Sequence, residues 1–394
     1  MEKSYIGAYI QHYRKKRNMT QSELAQGYCV RQTLSKIEKG IDGVAWNDYL
    51  SLLEHLHLTY LDIDRTILYQ HLETLYQVYL NDQDLRPHFQ TLYTHLHLED
   101  ILHQEYHAAL QVLYTYYIDH KSIHIDIQET LLSQRNMYPF PLRYLINHMV
   151  YQLQSIYLSD RKLEKYALKH TLFTPQEPLS IRNQIPLLIS LKRYLEAYEI
   201  TQELYTHTTH YTLQLEALRY TLVLYDLIQP VFSYTPIHRI EEFLLTHRND
   251  LTSKQICDTY YQIGTILLNN HDYPYAYTCF KNCHEVSPSL LSTVILMNYI
   301  ALHKNTQLPF ITLPTHTLKT HSLYTTLYQY FAYKQRLLTA KVNTLLLYNG
   351  LETYLMNHIL DLSIQDRLLH SIIQEEIRVV YHHTKNSKLL PVLG

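Results

Sequence analysis

Glycine and proline are scarce in this chain. Its 394 residues hold 7 Gly and 13 Pro, where ordinary usage is about 7% and 5%. With so few glycines there is no Gly-rich loop to cradle a phosphate, which excludes the common nucleotide-binding motifs. The four cysteines, Cys29, Cys257, Cys279 and Cys283, include no CxxC pair. A spaced zinc quartet is therefore absent, and buried free thiols are the expected state of all four. No run of about 18 apolar residues is present to span a bilayer, and no signal-peptide pattern opens the chain. A soluble, cytoplasmic protein without a membrane partner is predicted. Charge of neither sign dominates, with 34 Lys and Arg against 36 Asp and Glu.

The histidines are many, 26 in all, but their spacing is wrong for a metal. His55-x-His57, His95-x-His97 and His382-His383 point to different sides of a helix, and no HExxH occurs. Glu241-Glu242 and Glu375-Glu376 read as solvated helical faces, and no nucleophile, base and acid share a readable spacing. Neither an enzyme nor a bound cofactor is predicted.

What remains is a helical chain. Apolar residues make up 46%, and turn residues are too few for many strands. Length alone suggests two or three domains. Gly7, Gly27, Gly40 and Gly43 all fall in the first 43 residues, while every proline stands at Pro87 or later. Charge is divided in the same way. Residues 1–41 carry eight basic side chains against three acids, a net +5, and residues 42–66 carry one against five, a net -4. A positive field confined to one end is where phosphates would sit.

Within that basic end, Arg14 to Gly40 carries the strongest pattern. Thr20-x-x-Glu23 is a capping box that starts a helix, Gly27 ends it, and a second helix is predicted over 31–39 with Leu34 and Ile37 inward. Gly40 stands where a helix end needs a left-handed residue. Two short helices joined by a tight turn make a helix-turn-helix. In that geometry the early residues of the second helix face base edges, which singles out Arg31, Gln32, Thr33 and Lys36. Gln21 and Ser35 are assigned to phosphates. A further helix over 44–58 is expected to be anchored by Trp46, and a long connecting helix over 59–84.

The stretch resembles the helix-turn-helix domain of phage-repressor and xenobiotic-response-element regulators through Gly7, Ile10, Arg14, Thr20-Gln21, Leu24-Ala25, Val30, Leu34-Ser35-Lys36-Ile37-Glu38 and Gly40. Its shorter turn, with Cys29-Val30, is similar to the Rgg/PlcR branch of peptide-pheromone-responsive regulators. By that resemblance Arg14 and Glu38 pair between the first and third helices.

Beyond residue 86 prolines punctuate the chain at intervals of about one helical hairpin. Tyr260-x-x-Ile263-Gly264-x-x-Leu267, Ala276-x-x-x-Phe280 and Pro288 follow tetratricopeptide spacing, with Gly264 set opposite Ala276. Ile185 to Leu204 repeats part of it, with Pro186 as a kink, and 291–308, 315–349 and 351–382 read as further helices, split at Asn349-Gly350. The predicted fold is all-α: a helix-turn-helix domain over 1–66, a connecting helix over 67–86 and a tetratricopeptide-like α-solenoid over 87–394. The resemblance implies a homodimeric transcription factor that binds double-stranded DNA and, in its solenoid, a short signalling peptide. Asn147, Arg182, Asn183, Tyr261, Asn269 and Tyr299 are the peptide-binding candidates, offering amides, aromatic rings and a cation. Leu351, Leu355, Ile359, Leu362 and Leu369 are candidates for the dimer contact or, equally, for the inner face of a buried capping helix. The competing reading is a helical-repeat scaffold for a protein partner, tethered to DNA.

Overall fold

The structure, a computed structural model, describes residues 2–229, 231–304, 307–313, 322–360, 364, 366–386 and 389. It is all-α, and no strand occurs among the described residues. Four helices open the chain: α1 (Glu2–Lys16), α2 (Gln21–Ala25), α3 (Arg31–Glu38) and α4 (Trp46–His55). The capping box forms, with Glu23 N–H donating to Thr20 Oγ1 over 3.2 Å and Thr20 N–H to Glu23 Oε2 over 2.6 Å. Gly40 has φ +65°, and the N–H groups of Gly40 and Ile41 reach back to Ile37 and Lys36, the bonding of a Schellman stop. Ile6, Tyr9 and Ile10 of α1 are buried with Leu24, Leu34, Ile37, Leu52 and Leu53. Gly7 lets α1 lie directly on α3, since a Cβ there would overlap the carbonyl oxygen of Ile37.

The expected connecting helix is shorter than its sequence pattern, because α5 (Thr66–Leu80) begins only at Thr66. The preceding loop is held by a buried ion pair. Arg65 Nη2 donates to Asp100 Oδ2 over 2.6 Å and to the Leu61 carbonyl over 2.9 Å. Asp100 also accepts the N–H groups of Leu61, Leu102 and His103. These bonds satisfy the loop's backbone without a helix.

There follow α6 (Arg86–Thr94), α7 (Ile101–Tyr117), α8 (Ile125–Gln134), a 3-10 turn at Arg135–Met137, α9 (Phe140–Tyr157), α10 (Asp160–Lys169), α11 (Pro178–Ser190), α12 (Tyr194–His207) and α13 (Tyr211–Ile228). They stack as successive helical pairs, with α9 touching α5, α7, α8, α10 and α11. Pro186 lies on the exposed side of α11. One apolar core runs from Tyr5 to Ala217. Helix α1 belongs to it: it packs on the 3-10 turn, Tyr9 is buried beside Tyr106 and Tyr138, and Tyr13 donates its hydroxyl to Glu105 over 2.6 Å.

The chain divides into two compact units, 1–224 and 225–394, with the boundary inside α13. The second holds α14 (Thr235–Thr246), a 3-10 turn at Arg248–Asp250, α15 (Ser253–Asn269), α16 (Tyr273–Val286), α17 (Leu291–His303), α18 (Leu323–Thr339), α19 (Thr344–His358) and α20 (Arg367–Thr384). From α15 onward each helix packs on the next, the repeat-like stacking of a solenoid. The tetratricopeptide pattern is α15 and α16. The group nearest a side chain at Gly264 is the ring of Phe280, 2.8 Å from a built Cβ, rather than Ala276.

Three expectations are corrected here. Cys257 and Cys283 are joined as a disulfide between α15 and α16, their Cα atoms 4.5 Å apart, while Cys29 and Cys279 are free. The repeat packing sets the two positions face to face, which a separation of 26 residues does not reveal. Asn349-Gly350 is not a break but lies inside α19, where Gly350 admits the Tyr333 hydroxyl of α18, 2.7 Å from a built Cβ. The break falls at Lys341, whose φ is +50°. Leu351, Leu355, Ile359 and Leu369 are buried within the chain and offer no surface to a second copy; Leu362 lies outside the described residues, as does 315–321 of the expected helix. Glu376 of α20 gathers its neighbours around one carboxylate: Lys334 Nζ and the Tyr330 hydroxyl donate to Oε2 over 2.6 and 2.8 Å. His303 Nε2 stands 2.7 Å from its Oε1.

Candidate nucleic-acid interface and polar groove

The interface is built on the pair that holds α3. Arg14 Nε and Nη2 donate to the two oxygens of Glu38 over 2.5 and 3.1 Å, and Nη1 donates to the Met19 carbonyl over 2.7 Å. Both side chains are nearly removed from water, at 11% and 1% exposure. Gln21 donates its amide to Glu38 Oε2 over 2.8 Å. It is half-buried and braces the pair that fixes α2 against α3.

On the other side of α3, Arg31, Gln32 and Lys36 are exposed, while Thr33 and Ser35 are half-buried. Neither Arg31 nor Lys36 has an ion-pair partner among the described residues. No side chain caps the first turn of α3, an arrangement that suits phosphate oxygens. Lys15, Lys16, Arg17 and Lys39 are exposed near the helix ends. Tyr28 and Val30, 45% and 67% exposed, stand just before α3. They escaped the sequence reading because an apolar residue in a turn reads as core. A valine there offers the apolar contact that a thymine methyl takes.

The six groove candidates divide between the two units. Asn147 and Asn183, in α9 and α11, are buried, and the Asn147 Oδ1 has no hydrogen-bond partner among the described residues. Arg182 is half-buried and donates to Glu216 over 2.6 Å. Burial pushes the Glu216 pKa upward against the pull of Arg182 and Arg219. Around them, the Tyr79 hydroxyl stands 2.6 Å from His148 Nε2. Burial, assisted by Arg182, lowers the His148 pKa to about 3, so the ring stays neutral and accepts or donates single hydrogen bonds. Tyr79, His148 and Glu216 join Arg182 in a polar cluster that the sequence spacing concealed, since they lie on helices α5, α9 and α13.

In the second unit Tyr261 donates its hydroxyl to Asp366 over 2.9 Å. Tyr299 is buried and bonds Glu375 over 2.5 Å, and Asn269 is exposed. No group of three or more His, Cys, Asp or Glu suited to a metal ion occurs among the described residues, and no helix there is long and apolar enough to cross a membrane.

The helix-turn-helix family model matches residues 10–44, which covers α2, α3 and the last seven residues of α1. No curated protein and no solved structure matches the chain.

Proposed function

We propose that this protein is a DNA-binding transcriptional regulator, acting as a homodimer, whose helical-repeat region binds a short signalling peptide that modulates DNA binding. The observation that carries the reading is the free face of α3. Arg31, Gln32 and Lys36 project from a short helix held by the buried Arg14–Glu38 pair, inside the segment that the helix-turn-helix family matches. Arg31 has the donor fork for guanine, and Gln32 the paired donor and acceptor for adenine. A single module covers one half-site, and paired half-sites ask for a two-fold protein. The peptide reading draws support from the half-buried Arg182, whose guanidinium gives one bond to Glu216 and has further N–H donors for a peptide carbonyl or carboxylate.

Selection of full-length protein on a random duplex library tests the DNA-binding reading. On the selected site, Arg31→Ala weakens binding by about 1–3 kcal/mol and relaxes one base position, whereas Lys36→Ala weakens all sequences and lowers the salt slope by about 1. Failure to enrich any duplex at low salt refutes it. For the second part, native mass spectrometry of protein purified from its own source reveals a bound peptide mass. Arg182→Lys, which keeps a charge beside Glu216 and removes the guanidinium fork, then weakens recapture of that peptide.

A further inference from the structure

A cavity of about 310 Å³ opens where α5, the start of α9 and the segment leading into α11 meet. Its walls include the rings of Tyr76, Phe140 and Tyr144 and the ring of Pro175. The centroids of Tyr76 and Tyr144 are 5.8 Å apart, and those of Phe140 and Tyr144 are 5.9 Å apart. Phe140 is 50% exposed, so the mouth is open to a ligand. Two carboxylates, Glu73 and Glu177, belong to the lining, and neither lysine nor arginine does.

The two acids differ in what they have left to give. Glu177 is buried and committed, taking the Tyr76 hydroxyl and the N–H of Leu179 on Oε1 and the N–H of Ser180 on Oε2. It contributes its field. Glu73 is exposed, with Oε1 accepting the Gln77 amide over 2.6 Å, and its second oxygen has no partner among the described residues. Aromatic faces carry partial negative charge and attract cations within about 6 Å of the ring centre. The Phe140 ring already accepts one guanidinium within the chain, that of Arg143 at 5.0 Å. Aromatic walls and an acidic rim, with no lysine or arginine in the lining itself, are complementary to a positive head on an apolar stem. A planar guanidinium satisfies both demands, stacking on a ring while its donors fork onto a carboxylate.

We propose that this cavity receives an arginine side chain of the signalling peptide, with Phe140 and Tyr144 as the stacking surface and Glu73 as the paired carboxylate. This rests on the peptide reading above, but the cavity is tested without the peptide. The location matters for regulation, because Tyr5 of α1 meets the backbone N–H of Phe140 and the charge of Arg143. An occupant therefore touches the helix start that itself touches the DNA-binding module.

The test is ligand-observed NMR titration of the full chain with Nα-acetyl-arginine amide and with its neutral isostere, Nα-acetyl-citrulline amide. The arginine probe is expected to bind at least about tenfold more tightly, as one charge-assisted contact of roughly 1.4 kcal/mol gives. Glu73→Gln, at an exposed position that leaves folding alone, removes that preference, and Phe140→Leu weakens both probes. No saturable binding of the arginine probe, equal affinity for the two probes, or a preference that survives Glu73→Gln overturns the proposal. A co-purified peptide mass tests the peptide reading separately, so either can fail while the other stands.

Discussion

Removing Arg14 tests how α3, the second helix of the helix-turn-helix, is held in place. Its guanidinium makes two bonds to Glu38 and one to the Met19 carbonyl, and the Glu38 side chain is only 1% exposed. In Arg14→Met the carboxylate keeps Gln21 alone in a nearly dry site. Breaking a buried pair from one side costs about 3–5 kcal/mol, most of it from the stranded charge. Glu38→Leu costs less, because Arg14 retains Met19 and is less enclosed. The double variant Arg14→Met/Glu38→Leu lies closer to the native protein than Arg14→Met does, since no charge is stranded. Trp46 is the only tryptophan and stacks on Tyr49 with centroids 5.6 Å apart. Its fluorescence in urea therefore reports on the unit that holds this module and not on the second. A loss under about 1 kcal/mol in Arg14→Met, or a double variant whose losses simply add, would falsify the reasoning.

Gly7→Ala drives a Cβ into the Ile37 carbonyl, where only backbone movement relieves the overlap. It is expected to cost about 1–3 kcal/mol or more and to weaken DNA binding, read by the same fluorescence and by electrophoretic shift. In the second unit, burial raises the Glu376 pKa, but His303 and Lys334 outweigh it and hold the carboxyl at about 2. A folded pKa below the unfolded value of 4.5 contributes stability that is complete above that value and lost as pH falls from there toward 2. The contribution is about 3 kcal/mol, and a pH series of urea midpoints shows it as a loss that Glu376→Gln no longer displays.

The features legible in the sequence are those with local causes. Thr20 and Glu23 are three residues apart, and Gly40 acts on the helix it ends. Gly264 and Gly350 show the limit of that reasoning. Both admit a ring from a neighbouring helix, Phe280 and Tyr333 respectively, yet the tetratricopeptide spacing around Gly264 identified close packing, while Asn349-Gly350 had the look of a turn. The Arg65–Asp100 clasp spans 35 residues and has no pattern at all. Without it, 59–65 reads as the first turns of α5. The interface residues on α3 follow from the helix period, but the cavity at Phe140 gathers residues from α5, α9 and the start of α11, and only the packed chain brings them together.

The burial of Tyr5 and Tyr9 has a practical consequence. Helix α1 presents one flank to α3 and α4, and Tyr9 lies against Tyr106 and Tyr138. The helix-turn-helix module is thus no detachable cassette. Cut after residue 66, it would lose the wall against which Tyr9 rests and expose a greasy flank that invites clumping. A chimera that borrows this module needs the chain at least through α9, because the core that buries α1 runs on past residue 66.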